Sequence, residues 1–359
     1  MLVSDAEQLA VLRDSLTVRA AASPPNVTGG SYGYRMQTRR IFRDGHLERT
    51  TMGTTELSSL VRDPNSNCWG WLDLTHDDAA MIEKLARKLD LHELAVEDAF
   101  SEHERPKIMR YNSHMLLTVT ESNVDEREGE VALSRLTAFI MPRLIVTVRD
   151  DEFPIERVEK RVADNDDLAE HGVAFILWAL LDVLVDDHIA TLDRLDDITE
   201  ELSRELFEED GDMIDLQRRA FGFRRSIARM RHATIPLREV VTTLVRRDTQ
   251  LVPPELQPYF ADVYDHTLHA ADWTESLRDQ ISNVLETNVA LQGNRMNLIM
   301  KQVTSWAAII AVPTAITGFF GQNLEFFGFG TQWGAWMSVG LIVVSSLALW
   351  LTFKKQDWL

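Results

Sequence analysis

Gly318-Phe319-Phe320-Gly321-Gln322-Asn323 closes an uncharged run that begins at Val303. Two glycines and an asparagine at the end of a helix allow backbone carbonyls and an amide oxygen to converge on an axis, and rings of oxygen suit hard cations. Upstream, one helical face is drawn at intervals of three and four: Asn297, Met300, Thr304, Ala307, Ala311, Thr314, Gly318 and Gly321. That face is small or polar for most of its length, and the span holds no carboxylate to strip and chelate a metal. Mg2+ holds its water tightly, so a roomy, uncharged lining fits a hydrated ion. Each feature also has a plainer account. A polar C-cap and turn explains Gly321-Gln322-Asn323, and small residues such as Ala307 and Ala311 suit close helix packing.

Other chemistries find no support in the residues. There is no P-loop, no paired-glycine dinucleotide motif and no metalloprotease His-Glu pair. His92, His103, His114 and His266 are scattered and read as surface or structural groups. A formal net charge of −19 argues against a nucleic-acid partner. Excess acid usually marks a solvated surface, although carboxylates also ligate Mg2+ and Ca2+. The single cysteine, Cys68, rules out an internal disulfide framework. Charges through the first twenty residues, among them Asp5, Arg13 and Asp14, argue against a secretory signal peptide there.

The elements that carry the candidate path are two helices long enough for a bilayer. Val303 to Phe320 is uncharged, and so is Trp333 to Phe353, which Lys354 and Lys355 close. About 20 helical residues cross a hydrocarbon core. Arg295 and Lys301 precede the first span, whereas the connecting loop carries only Glu325. Lysine and arginine mark the cytoplasmic side, so both termini and the soluble bulk of the chain are expected on the cytoplasmic side of the cell membrane. A single hairpin cannot enclose a pore, so transport would need a ring of subunits.

Ahead of the spans, residues 1–30 read as poorly ordered and 31–167 as a cytosolic α/β domain. Within the latter, Thr75 caps a helix over Asp77 to Leu89, and His114 to Thr120 and Leu136 to Val148 read as buried strands. Residues 168–255 read as a helical hairpin, one arm acidic and the next rich in arginine, held partly by opposite charge. From 256 to 320 the apolar spacing predicts one long stalk helix that continues into the membrane. Residues 321–332 are then an extracytoplasmic loop, 333–353 the second span and 354–359 a basic cytosolic tail.

Several motifs together resemble the CorA family of magnesium and cobalt channels. They include Trp71-Leu72-Asp73-Leu74, Leu91-His92-Glu93-Leu94-Ala95-Val96-Glu97-Asp98 and Arg105-Pro106-Lys107. Pro236-Leu237-Arg238-Glu239, Asp262-Val263-Tyr264-Asp265-His266 and Asn297-x-x-Met300-Lys301-x-x-Thr304 continue the match. The family's Gly-Met-Asn reads Gly321-Gln322-Asn323 here: the asparagine is kept, and an amide replaces the thioether. The resemblance implies an α+β membrane protein, a funnel-shaped homopentamer in the lipid bilayer with first spans lining the pore. It implies Mg2+ transport, with Co2+ and Ni2+ as lesser substrates. Regulatory Mg2+ would lie between subunits at Asp98 and Asp262, with Glu97 and His266 beside them. Met300 and Val303 would form a hydrophobic gate. Two alternatives stand beside this reading: a Zn2+ transporter of the same fold, and a membrane-anchored cytosolic sensor or scaffold.

Overall fold

A computed structural model describes residues 39–48, 68–101, 104–125, 129–207, 213–247, 251–322 and 331–359. The segment expected to be poorly ordered, 1–30, lies outside them. The strands are β1 Arg39–Arg43, β2 His46–Glu48, β3 Cys68–Thr75, β4 Lys107–Arg110, β5 Met115–Val124, β6 Val131–Met141 and β7 Leu144–Arg149. They form one sheet in the order β2-β1-β3-β7-β6-β5-β4. Its neighbours are antiparallel except β3 with β7, the pair joined by a crossover. The stretch Leu136 to Val148, expected as one strand, is two. Met141 and Leu144 pair across the Pro142-Arg143 turn, because proline cannot donate to the ladder of a central strand.

Two-residue alternation gives the sheet two buried faces. On one, Leu72, Leu74, Phe139, Leu144 and Val146 meet α1 (Ala79–Leu89) and α2 (Glu93–Phe100) through Ile82, Leu85, Ala95 and Ala99. On the other, Trp69, Trp71, Leu117, Val119 and Ile145 meet α3 (Ile155–Asp164) and the first half of α4 (Val173–Glu205). Helix α4 is buried all round from Val173 to Val185, as a helix between a sheet and further helices must be. Beneath it, Asp73 accepts hydrogen bonds from Thr147 Oγ1 at 2.6 Å and Arg149 Nε at 2.9 Å. Trp71 Nε1 donates to the same threonine at 3.1 Å.

Helix α5 (Met213–Arg247) packs along α6 (Gln257–Phe320), and α7 (Gln332–Lys355) packs beside the last third of α6. The seam of α6 is Phe260, Val263, Thr267, Ala270, Thr274, Leu277, Ile281, Val284 and Asn288. Its intervals of three and four keep one stripe against α4 and α5. The expected charge pairing of α4 with α5 is only local. Arg219 meets Glu201 and Glu205 beside the connection. Elsewhere the acids of α4 turn to α3, Asp182 and Asp186 to Arg161 and Asp187 to Arg157. Arg231 of α5 turns to Glu275 of α6 at 2.5 Å. Apolar burial, from Leu216 and Phe223 to Val241, decides where α5 lies.

Two adjacent residues of α4 carry opposed titrations. His188 is fully buried, with its Nε2–H on Thr120 O at 2.9 Å, and burial pushes its pKa down to about 4. Burial raises Asp187 to about 7, against the pull of Arg157 and with the help of Glu121 and Asp186. The folded state therefore refuses a proton at His188 between pH 6.5 and 4, which costs stability as pH falls. At Asp187 it takes one up between pH 7 and 3.8, which adds stability as pH falls. The two offset each other where their windows overlap. Relative to wild type, Asp187→Asn should therefore lose thermal stability progressively as pH falls from 7 to 4, and His188→Gln should gain it. Melting curves of the full-length protein in detergent across that range check both signs.

Candidate ion path and cytosolic cation site

The apolar parts of α6 and α7 are long enough to cross a membrane, and nearly all of that surface is exposed in the single chain. Where α6 is least exposed within its span, the residues are Ser305, Ala308, Ile309, Val312, Pro313, Ile316 and Phe320. That is the stripe beside α7. Asn297, Met300, Val303, Thr304, Ala307, Ala311, Thr314 and Gly318 are all exposed. At 3.6 residues per turn they centre roughly 160° round the helix from that stripe. The structure thus leaves the face predicted to line a path uncovered by α7.

Hydroxyls on this face are held by their own helix. Thr304 Oγ1 donates to Met300 O at 2.7 Å and Thr314 Oγ1 to Ile310 O at 2.9 Å. A hydroxyl whose proton is committed to the backbone presents its lone pairs outward. Those oxygens can accept from the water shell of a cation. Pro313 interrupts the ladder and frees the Ile309 carbonyl, on the α7 side.

The end of α6 is tight. Gly321 N–H donates to Thr317 O at 2.8 Å and Gln322 N–H to Phe319 O at 3.3 Å. Gly321 keeps a right-handed conformation at φ −85°, so it is not the left-handed glycine of a common helix C-cap. Its glycine answers a different need: a Cβ there would lie 3.0 Å from Thr317 O. Gly318, in contrast, faces open space. Asn323 lies outside the described residues, as does His103.

The acidic candidates sit on two separate elements. Asp98, near the end of α2, accepts from Lys107 Nζ at 2.8 Å, and Glu104 accepts from the same ammonium at 2.6 Å. Burial works against that ammonium, but the two carboxylates outweigh it and hold its pKa up. Asp98 is 21% exposed and Lys107 26%. Glu97 points to solvent on the same short helix. Asp262, on the second turn of α6, is 64% exposed, with His266 Nδ1 at 3.9 Å. Among the described residues, no group of three or more His, Cys, Asp or Glu gathers closely enough to hold a metal.

His92, within the Leu-His-x-Leu motif, is a helix cap: its Nδ1 accepts from Leu94 N–H at 3.2 Å. Its ring also meets Tyr111 at 4.8 Å in a tilted contact, and Tyr111 stacks in turn on the buried His114. Sequence reasoning missed the role of Lys107, a motif member with no assigned contact. Its place two residues into Arg105-Pro106-Lys107, opening the edge strand β4, was the available signal. It also missed that Lys301 Nζ lies 5.9 Å from the Trp358 ring, so that the start of α6's span and the end of α7 meet.

Comparison with known proteins decides the family. The model described as "CorA-like Mg2+ transporter protein" matches residues 66–355. The chain belongs to the CorA family. It is accordingly a divalent metal ion transporter of the membrane and not an enzyme. The "Cobalt/magnesium transport protein CorA" of Thermotoga maritima is 27% identical over 312 residues, 85% of this chain and 88% of that one. The "Zinc transport protein ZntB" of Klebsiella pneumoniae is 24% identical, over 83% of this chain and 90% of its own. Among solved structures, the CorA magnesium transporter of Methanocaldococcus jannaschii aligns with TM-score 0.72 at 21% identity, covering 89% of this chain and 98% of that one. At that identity the likeness shows a shared fold: an α/β domain, long helices and two C-terminal membrane helices.

Gly321→Ala tests the end of the candidate path. The added methyl must displace Thr317 O or the helix terminus. Transport should fall at least several-fold with insertion and assembly unchanged, whereas Gly222→Ala, in open space on α5, should leave it intact. Initial rates of metal entry into proteoliposomes, normalised to inserted protein, read both.

Proposed function

We propose that the chain forms a homopentameric channel for Mg2+ uptake, with Co2+ and Ni2+ as lesser substrates, driven by an inside-negative membrane potential. The observation that carries this reading is the uncovered, uncharged face of α6 from Asn297 to Gly318, turned away from α7. Five such faces around an axis would line a water-filled path, and the α7 helices would lie outside. Main-chain and threonine oxygens along it receive a hydrated cation through its water, without direct chelation. Asn323, with Gly321 and Gln322, gathers the hydrated ion at the outer mouth. Relatives named for cobalt and magnesium transport support this ion choice, and the amide at Gln322 is compatible with a hydrated substrate. Lys301 beside Trp358, with Lys354 and Lys355 at the end of α7, brings the basic ends of both spans to one level. This clustering of positive charge supports a cytosolic side for both termini.

Regulation follows from the continuity of α6. Asp98 and Asp262 of adjacent subunits, with Glu97 and His266 nearby, hold Mg2+ in the resting ring. Their oxygens suit this hard ion, and the exposure of Asp262 leaves it open to a second chain. With Mg2+ lost, facing carboxylates repel, the subunits shift, and each α6 carries the movement to Met300 and Val303. These apolar side chains, exposed in one chain, close the path by dewetting. The anchored sensor is the weaker reading, since an anchor needs no uncovered polar stripe.

Proteoliposomes with an imposed inside-negative potential test the proposal. Mg2+ should enter, Asn323→Ala should abolish most of that entry, and Asp262→Lys should remove inhibition by Mg2+ on the cytosolic side. Entry of Zn2+ under a pH gradient without Mg2+ flux would move the substrate to zinc. No flux of either ion from a folded oligomer would leave the anchor.

A further inference from the structure

Asp98 and Asp262 are not equivalent in the single chain. Asp262 stands 64% exposed on α6, with His266 at 3.9 Å. Asp98 is only 21% exposed and already holds a cation, the Lys107 ammonium at 2.8 Å. That ammonium comes from the first residue of β4, the edge strand of the sheet, and reaches the last turn of α2. Glu104 accepts from it at 2.6 Å and holds it in place. Three partly buried groups thus form a closed triad at the position where the proposed regulatory site needs a free carboxylate.

We infer that Lys107 is a tethered competitor of the regulatory cation: its ammonium occupies Asp98 in the metal-free subunit and must leave for Mg2+ to be held there. This rests on the regulatory reading above and assigns a residue that sets its sensitivity. A tethered ligand competes at a fixed, high effective concentration. It therefore weakens binding at the site without altering the oxygens that receive the metal. Glu104 supplies the resting place to which the displaced ammonium turns, so no charge is left unpaired when Asp98 changes partner.

The closing experiment uses full-length protein and Mg2+ itself, with two readouts: calorimetric Mg2+ binding in detergent, and cytosolic Mg2+ inhibition of influx in proteoliposomes. Lys107→Gln removes the charge and retains a donor. It should lower both the binding midpoint and the inhibition midpoint by about tenfold, the scale of one lost charge interaction in a partly buried site. Lys107→Arg keeps the charge in a fork that grips a carboxylate at least as well. It should leave both midpoints at or above wild type. In an Asp98→Asn background, Lys107→Gln should move neither. An unchanged or raised midpoint in Lys107→Gln would mean that Lys107 only positions Asp98, and the inference falls. If Lys107→Gln fails to assemble, a lowered midpoint in Lys107→Arg overturns it equally. Wild-type protein that neither binds Mg2+ in the calorimeter nor responds to it would instead sink the regulatory reading from which the inference starts.

Discussion

Everything in this molecule hangs on one hydrogen-bonded ladder, the 64-residue helix from Gln257 to Phe320. At 1.5 Å per residue it is about 96 Å long, and it passes from water into lipid without a break in secondary structure. In lipid a backbone group has no water to turn to, so the helix must satisfy itself. In the half outside the membrane, its stability comes from a buried stripe shared with α4 and α5. In the membrane half the stripe gives way to an apolar surface, eased by Ser305, Thr304 and Thr314 bonding back to their own turn. Pro313 is the one place within the span where the ladder yields. A rod with its soft point inside the membrane concentrates bending there, on the level of the candidate path.

Such a rod transmits force only if its end outside the membrane is clamped. Phe260 and Val263 join the core that the sheet, α3 and α4 build, and Tyr259 packs edge-on against Trp178 of α4 at 5.2 Å. Behind α4 the sheet is pinned by the buried Asp73–Arg149 pair, with Thr147 and Trp71 completing its hydrogen bonds. Burial drives Asp73 toward its neutral form, and the arginine and threonine oppose that. Removing one partner of such a pair costs several kcal/mol, about 3–5 by general experience, because the other is stranded. What the pair secures is register. It ties β3 to β7, the parallel pair in the sheet, next to the helices that hold the rod.

Much of this was legible from residue spacing, and the failures have identifiable physical causes. The spans were legible because lipid demands length and lack of charge. The long helix was legible because no proline interrupts Tyr259 to Val312 and apolar residues recur at three and four. The sheet was legible at His114–Thr120 and Leu136–Val148, but β2 and β4 were not read, nor was the order, since nothing local to β3 says that it pairs with β7, some seventy residues later. Leu136–Val148 was misjudged because apolar content continues through a turn made by Pro142 and Arg143. The acidic and basic helices misled for a related reason. Net charge along a helix says what it could attract, whereas apolar burial decides what it touches, and Arg157 and Arg161 on a third helix took the acids of α4. At the candidate site, the identity of Asp98 was readable but its state was not. An ion pair nine residues apart, closed from a sheet edge, depends on a fold that periodicity does not describe.

The lysines at the membrane boundary pose an electrostatic problem that the structure resolves by orientation. Positive charge there is needed to fix which side of the bilayer the hairpin faces, yet the same charge would repel a cation leaving the path. Lys301 projects about 100° round α6 from the centre of the uncovered face, and its ammonium lies near the Trp358 ring. Lys354 lies over Trp350 at 4.7 Å, and Trp358 is itself stacked on Phe353. Aromatic faces attract ammonium groups, so these two charges are drawn to the α7 side of the hairpin. The face from Asn297 to Gly318 is left uncharged, and Asp262 lies near the opposite end of the same helix. On the proposed path, orientation and conduction would thus draw on different sides of one helix, and that separation would let a single hairpin serve both.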